Sequence, residues 1–491
     1  MRNAFEFARR LGLLAAVCLS ARGAAGQDKP APTVEQRIRD VTSGLSGPVA
    51  VKGEEHVGLS LGDRMKALKV PGVSIAVIHQ GKIDWARGFG VTAVGGAPVN
   101  ADTLFQAASI SKPLSAMAAL RLVEKGKLSL DTDIGTYLRS WKLPPDPSTS
   151  GKPVTLRELL SHTAGITVHG FPGYANTEPV PTLAQVLNGE KPANTAPIRS
   201  EAAPGSRWRY SGGGFTIVQQ AIIDAANEPY PKFMHDTVLE PLGMLHSTYQ
   251  QPLPEALRSK VATPYRDDGT PVAGGPHTYP EMAAAGLWTT PSDLARFAIE
   301  MQQSLQGHSN RVLSAAMTRQ MLTKGMGNWG LGIQIGGAEA DPYFAHGGAN
   351  EGYRCILVAY QNKGEGGVVM TNSDAGGLLG DEVMRSIAAE YGWPDYRPAI
   401  RAKVQVNPNV LPKYAGTFEL HPGFDLVISV EHGQVMAQAT GQDKVEIYPE
   451  SESEFFSTAS SAEIEFLKDG TGKVTRLVLH QDGNDVRAPR K

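Results

Sequence analysis

The chain has 491 residues, 41% of them hydrophobic and 20% charged, with a formal net charge of −2. That length exceeds one ordinary domain and suits a large domain followed by a small one. The composition is that of a folded globular chain, and the near-balanced charge excludes a nucleic-acid partner. With 54 glycines and 34 prolines the chain must turn often, but apolar segments recur along its whole length, so it is not disordered.

Residues 1–26 stand apart. Arg2, Arg9 and Arg10 make a positive start, Leu11 to Ala21 is a short apolar run, and Ala24-Ala25-Gly26 supplies small residues for cleavage. This is a secretory signal pattern, which places the mature chain in the periplasm or outside the cell. The run falls short of the roughly 20 apolar residues that span a bilayer, and no later segment is a candidate, so the mature chain is expected to hold no stable membrane span. Val17 is the wrong size to precede a lipidated Cys18. Loss of Cys18 leaves Cys355 alone, so no intramolecular disulfide can form. Cys355 lies in the apolar stretch Tyr353 to Tyr360 and reads as core.

Residues 27 to about 60 read as a polar, partly helical lead-in. Within it Gly58-Leu59-Ser60-Leu61-Gly62 has the spacing of a nucleophile elbow. An elbow needs a strand before it, and Lys52 to His56 is not one. The stretch reads instead as a turn before a helix holding Met65 and Leu68. Val70 to Ile78 and Ile83 to Val91 read as strands joined by a turn at Gln80-Gly81. After Ser111 the spacing becomes helical through Leu114, Met117, Ala118, Leu120 and Val123, with Gly126 closing a largely buried helix.

Leu128 to about Pro280 is helical, broken by Pro and Gly loops, and Thr290-Pro291-Ser292-Asp293 is a helix start. From Tyr343 strands return, at Tyr353 to Tyr360 and Gly366 to Asn372. Strands near both ends with helices between predict an α+β fold over residues 27–395: one antiparallel sheet flanked by helices, plus a helical lobe. A linker is expected at 396–407, in the proline-rich stretch from Pro394 to Pro412. Residues 408–491 then form a small β-barrel or sandwich, with strands at Val427 to Val430, Gln434 to Ala439, Val445 to Tyr448, Glu463 to Phe466 and Val474 to His480, and turns at Asp469-Gly470 and Asp482-Gly483.

Three clusters carry chemistry. In Phe105 to Lys112 the spacing Ser109-x-x-Lys112 puts both side chains on one face of a helix. A serine hydroxyl needs a base, and a buried lysine can supply one. In Arg207-Trp208-Arg209-Tyr210-Ser211-Gly212-Gly213-Gly214 a tyrosine hydroxyl precedes flexible backbone. In Phe344 to Gly352, His346-Gly347-Gly348-Ala349 lets backbone approach a ligand.

The order and separation of the three resemble the serine β-lactamase and penicillin-binding-protein family, in the branch with class C β-lactamases, family-VIII-type esterases, D-aminopeptidases and DD-carboxypeptidases. Leu159 to Gly165, Gly286 to Leu294 and Val369 to Asn372 strengthen the likeness, which covers roughly residues 55 to 390. Tyr414-Ala415-Gly416-Thr417-Phe418 resembles the start of a lipocalin-like β-domain. The resemblance implies that Ser109 is acylated, that Lys112 takes its proton, and that Tyr210 acts with Lys112. It also implies an oxyanion hole from the N–H groups of Ser109 and Ala349, and substrate contacts from His346, Gly347, Gly348 and the position of Gly212.

Two departures shape the expectation. Gly212 stands where the family usually has Asn, and His346 where it often has Lys, so a fixed charge for a substrate carboxylate is replaced by a ring partly charged near neutral pH. Both changes weaken the case for β-lactam hydrolysis and favour a peptidase or carboxylesterase acting on a small-molecule or peptide substrate. The alternatives are a class C-like β-lactamase and, in a different class, a non-catalytic sensor or a β-domain that holds an apolar ligand. His162 and His169 have no third ligand at zinc spacing, so no metal is expected, and no cofactor. Oligomeric state is not readable.

Overall fold

The computed structural model describes residues 32–55, 58–481 and 484–491. The signal pattern and the turn at Asp482-Gly483 lie outside the described residues. Six strands make the sheet of the first domain: β1 Gly72–His79, β2 Lys82–Gly90, β3 Gln334–Gly336, β4 Tyr343–Asn350, β5 Tyr353–Tyr360 and β6 Gly366–Thr371. Their order is β2-β1-β6-β5-β4-β3, all antiparallel. Strands from the two ends of the domain therefore meet at its centre, where Val73 of β1 lies opposite Thr371 of β6.

β1 is apolar at nearly every position because both its faces are covered. Successive side chains point to opposite faces. Val73, Ile75 and Val77 enter one core with Val41, Val383 and Ile387, whereas Ala76 and Ile78 enter the other with Leu294 and Met301. Helices α1 (Val34–Ser43) and α5 (Gly376–Glu390) cover the first face and α4 (Pro291–Leu305) the second. Helix α4 starts as the sequence predicts, with Thr290 Oγ1 accepting the Asp293 N–H at 3.2 Å and Pro291 in its first turn. Ser60 caps the helix Leu61–Ala67 in the same way, which removes it from the elbow reading.

The helical lobe is built on α2 (Ser111–Glu124) and α3 (Gly212–Ala226). Every residue of α2 from Ser111 to Leu120 is buried. A helix buried all round has no solvent face to which a lysine side chain could turn, so Lys112 is committed to the interior.

After the first domain Ala399–Arg401 pairs in parallel with Val49–Val51, a strand pair within the expected linker. The second domain is an eight-stranded meander of β7 Gly416–His421, β8 Phe424–Glu431, β9 Gln434–Ala439, β10 Val445–Pro449, β11 Glu454–Ser457, β12 Glu463–Lys468, β13 Val474–Gln481 and β14 Asn484–Pro489. Each strand is antiparallel to the next. A bridge from Phe418 to Arg490 brings the first strand to the last, so the sheet nearly closes as a barrel. The rings of Tyr414, Phe418, Phe455 and Phe466 pack together in its interior with Leu426, Ile447 and Leu477. These side chains form the core of the second domain.

Strands β3, β7, β11 and β14 escape the sequence pattern. β3 and β11 are only three and four residues long, and β14 is mostly polar and ends at a proline. Among the described residues no helix is long and apolar enough to cross a membrane.

Candidate active site

Phe105–Gln106 pairs with Trp288–Thr289 and leads directly into a single tight turn, Ala108–Ile110, that runs on into α2. Ser109 sits in that turn. Ala108 before it has φ 50°, a left-handed conformation uncommon for a residue with a side chain. Ser111 braces the turn: its hydroxyl donates to the Ala108 carbonyl at 2.6 Å and accepts the Leu287 N–H at 3.0 Å. On the other side the backbone of Ala107 presses on β4. A Cβ at Gly348 would stand 2.3 Å from the Ala107 carbonyl oxygen, so only glycine allows this approach.

Lys112, one turn along α2, lies with Nζ 2.9 Å from Ser109 Oγ and donates to the Ala284 carbonyl at 2.8 Å. Among the described residues no carboxylate pairs with it. Burial alone therefore drives its amine down to about 7. Tyr210 faces the same cleft as Ser109, and burial pushes its phenol above the ordinary value. Lys112 Nζ is 4.9 Å from the centre of the Tyr210 ring. The nucleophile thus has two neighbours with opposite shifts: an amine readily deprotonated and a phenol that holds its proton.

Ser109, Tyr210, His346, Gly347, Gly348 and Ala349 line one cleft of about 640 Å³. Beyond Ala345 strand β4 has lost β3 as neighbour, and its last residues form a wall of that cleft. His346 is buried, and Nδ1 lies 2.6 Å from the Gly347 carbonyl. A carbonyl only accepts, so Nδ1 carries the proton. Burial first and the Lys112 charge second hold the ring down at about 3. Burial therefore favours the neutral ring of His346 over the partial charge expected of an exposed histidine near neutral pH.

Gly212, expected at the substrate, lies buried in the first turn of α3 and donates its N–H to the His169 carbonyl at 3.0 Å. A Cβ there would meet the Phe171 ring at 2.9 Å, so the position packs tightly against the loop that carries His169 and Phe171.

Sequence reasoning left out several residues that shape the site. His169, Phe171, Trp208, Trp329 and Arg354 line the cleft, and Cys355, expected as core, is buried with its thiol on the Gln106 carbonyl. His162, weighed as a metal ligand and quoted within the stretch Leu159 to Gly165 but given no role in the site, lies with its ring centre 4.3 Å from that of Tyr210. Its signal was the stretch Leu159 to Gly165; Trp329 has no comparable signal.

The fold and this arrangement of side chains are those of a serine hydrolase. Residues 61–389 match the beta-lactamase family model, and the chain belongs to that family. Residues 401–488 match a domain of unknown function, DUF3471. The chain is 23% identical to penicillin-binding protein 4* of Bacillus subtilis (strain 168) over 430 residues, 80% of this chain and 89% of that one. It is 27% identical to esterase EstB of Burkholderia gladioli over 306 residues, 55% of this chain and 76% of the esterase. The octameric penicillin-binding protein homologue from Pyrococcus abyssi superposes with a TM-score of 0.61 at 24% identity, covering 87% of this chain and 98% of that one.

Proposed function

We propose that this enzyme is an exported peptidase or carboxylesterase that cleaves an amide or ester bond through an acyl-Ser109 intermediate. The observation that carries the reading is the amine of Lys112, 2.9 Å from Ser109 Oγ, without a carboxylate partner and driven down to about 7. A neutral amine at that distance takes the hydroxyl proton as Oγ attacks the substrate carbonyl. The N–H groups of Ser109 and Ala349 take the oxyanion, a contribution typically worth about 10²–10³ in rate. Tyr210, which keeps its proton at rest, passes a proton to the leaving group and recovers it through Lys112. In the second half of the cycle the same pair takes a proton from the water that attacks the acyl ester.

The cleft also bears on the substrate. His346 is neutral. Arg354, the one Lys or Arg side chain among the cleft-lining residues, is engaged by Asp374 at 2.9 Å and by the carbonyls of Asn350 and Tyr353 at 2.6 and 2.8 Å. Among the described residues that line the cleft no free cation faces a substrate carboxylate, which favours uncharged esters and amides over β-lactams. The test is turnover of p-nitrophenyl butyrate, D-alanyl-p-nitroanilide and nitrocefin by wild type and Ser109→Ala. Fast ester or anilide turnover with slow nitrocefin turnover, all lost in the variant, is expected. Nitrocefin as the best substrate would replace this reading by a β-lactamase, and one acylation without turnover by a sensor. Export is tested by sequencing the N-terminus of protein recovered from the periplasm of a bacterial host; a start just after Gly26 is expected, and an intact Met1 would contradict it.

A further inference from the structure

Helix Leu156–Leu160 ends in a Schellman turn: the Thr163 N–H donates to the Glu158 carbonyl at 2.9 Å and the His162 N–H to the Leu159 carbonyl at 3.4 Å. The left-handed residue of such a turn is usually Gly, sometimes Asn. Here it is His162, with φ 59°. An imidazole in this conformation is strained, and it persists only where its surroundings require it. The requirement is visible on both sides of Tyr210. The His162 carbonyl accepts the Arg209 N–H at 2.8 Å, and His162 Nδ1 accepts the Ser211 N–H at 3.1 Å. The two neighbours of Tyr210 in the chain are therefore tied to one residue. The His162 ring lies against the Tyr210 ring, with centres 4.3 Å apart and planes at 35°.

We propose that His162 is the positioning residue for Tyr210, gripping the backbone before and after it so that the phenol meets Ser109. This rests on the reading of Tyr210 as the proton relay. Only one form of the ring can do it. Nδ1 must accept, so the proton sits on Nε2 and the ring is neutral. A doubly protonated ring would set one N–H against another at Ser211. Downstream the grip is continued by the cap of α3, where Ser211 Oγ accepts the Gly214 N–H at 2.9 Å and donates to the Thr167 carbonyl at 2.9 Å. Tyr210 is held between a helix cap on one side and a strained helix end on the other, which is how a side chain at the end of a loop acquires the precision of one on a helix.

A double-mutant cycle tests this through the rate of acylation by p-nitrophenyl butyrate in single turnover. His162→Phe keeps a ring and removes the acceptor. In the wild-type background it should lower the acylation rate about ten-fold or more with KM little changed. In the Tyr210→Phe background it should cost less than about two-fold, because the group being positioned is already gone. His162→Asn keeps an acceptor on the same branch of the side chain and suits the left-handed backbone, so it should stay within about three-fold of wild type. The same loss from His162→Phe in both backgrounds, or no loss in either, would overturn the proposal. If His162→Phe does not fold, His162→Asn carries the test: a folded variant slowed more than about ten-fold contradicts it. A Tyr210→Phe enzyme as fast as wild type would instead overturn the relay reading beneath the proposal, and is distinguishable because it needs no change at His162.

Discussion

The two domains treat buried polarity in opposite ways. Around Ser109 the first domain buries a lysine amine and two neutral imidazoles, Lys112, His162 and His346. Four ring nitrogens there, His162 Nε2, His346 Nε2, Trp208 Nε1 and Trp329 Nε1, have no protein partner. Its left-handed non-glycine residues include Ala108 beside Ser109 and His162 beside Tyr210, and also Lys69, Gln80, Ser150, Val168, Asn227 and Asn328. The barrel is filled by aliphatic and aromatic side chains, and its left-handed residues, such as His432, Gly433 and Gly472, fall at turns between strands. The first domain buries ionisable side chains around the cleft at an energetic cost, whereas the core of the second is aliphatic and aromatic.

That contrast can be broken most forcefully at Lys112. Lys112→Met should lower turnover by about 10²–10⁴, yet raise the melting temperature at pH 7. Bringing the amine down to about 7 costs about 4–5 kcal/mol of stability at neutral pH. Leaving the Ala284 carbonyl unpaired costs about 1–3 kcal/mol. The sign follows from linkage. Between about 7 and the ordinary lysine value the unfolded chain holds a proton that the folded chain does not, so wild-type stability rises with pH across that window and the variant lacks the rise. A variant that melts earlier than wild type at pH 7 would mean that the amine is not buried at a cost.

The opposite result is expected in the barrel. Phe466→Ala should destabilise that domain by about 3–5 kcal/mol, while acylation of Ser109 stays within about two-fold at temperatures where the variant is folded. Calorimetry and the acylation rate check the two halves separately, and an equal loss of both would show that the barrel holds the cleft in shape.

Glu281 gives a stability effect of the same kind as Lys112 and of comparable size, but none on the reacting groups. It is buried with both carboxylate oxygens unpartnered, and burial pushes it from 4.5 up to about 8. The folded chain keeps this proton until about 8 while the unfolded chain loses it above about 4.5, so the group withdraws stability as pH rises through that window. Glu281→Gln should gain in melting temperature over wild type between pH 5 and pH 8; a constant difference would contradict the burial argument. The smallest effect is expected where the domains' charges meet solvent. Arg401, bridged to Glu450 and Glu463 at the barrel surface, should cost about 1 kcal/mol or less on change to Ala, and denaturant unfolding would detect anything larger.

What was legible in the sequence follows from which constraints are local. Ser109 and Lys112 could be paired because a three-residue spacing on a helix is a contact. The sheet of the first domain was readable from β1, β5 and β6, whose buried faces leave long apolar runs. The tight packing at Gly212 was not legible, because a motif position says nothing of the Phe171 ring packed where a side chain would go. The neutrality of His346 was hidden because charge state depends on burial contributed by residues far along the chain. His162 was visible as part of a motif, but its task depends on two backbone N–H groups about fifty residues away, which no periodicity records. In the barrel, short strands and polar strands fell below the threshold at which alternation can be recognised.

The central claim is that Ser109 is activated by an amine that is neutral at working pH. The most direct measurement is the rate of single-turnover acylation by a fluorophosphonate between pH 5 and pH 9, followed by intact-protein mass. The account predicts one adduct, located on Ser109, forming at a rate that rises with pH through about 7 and then levels as Lys112 completes its deprotonation. A rate independent of pH across that range, or an adduct on another residue, would contradict it.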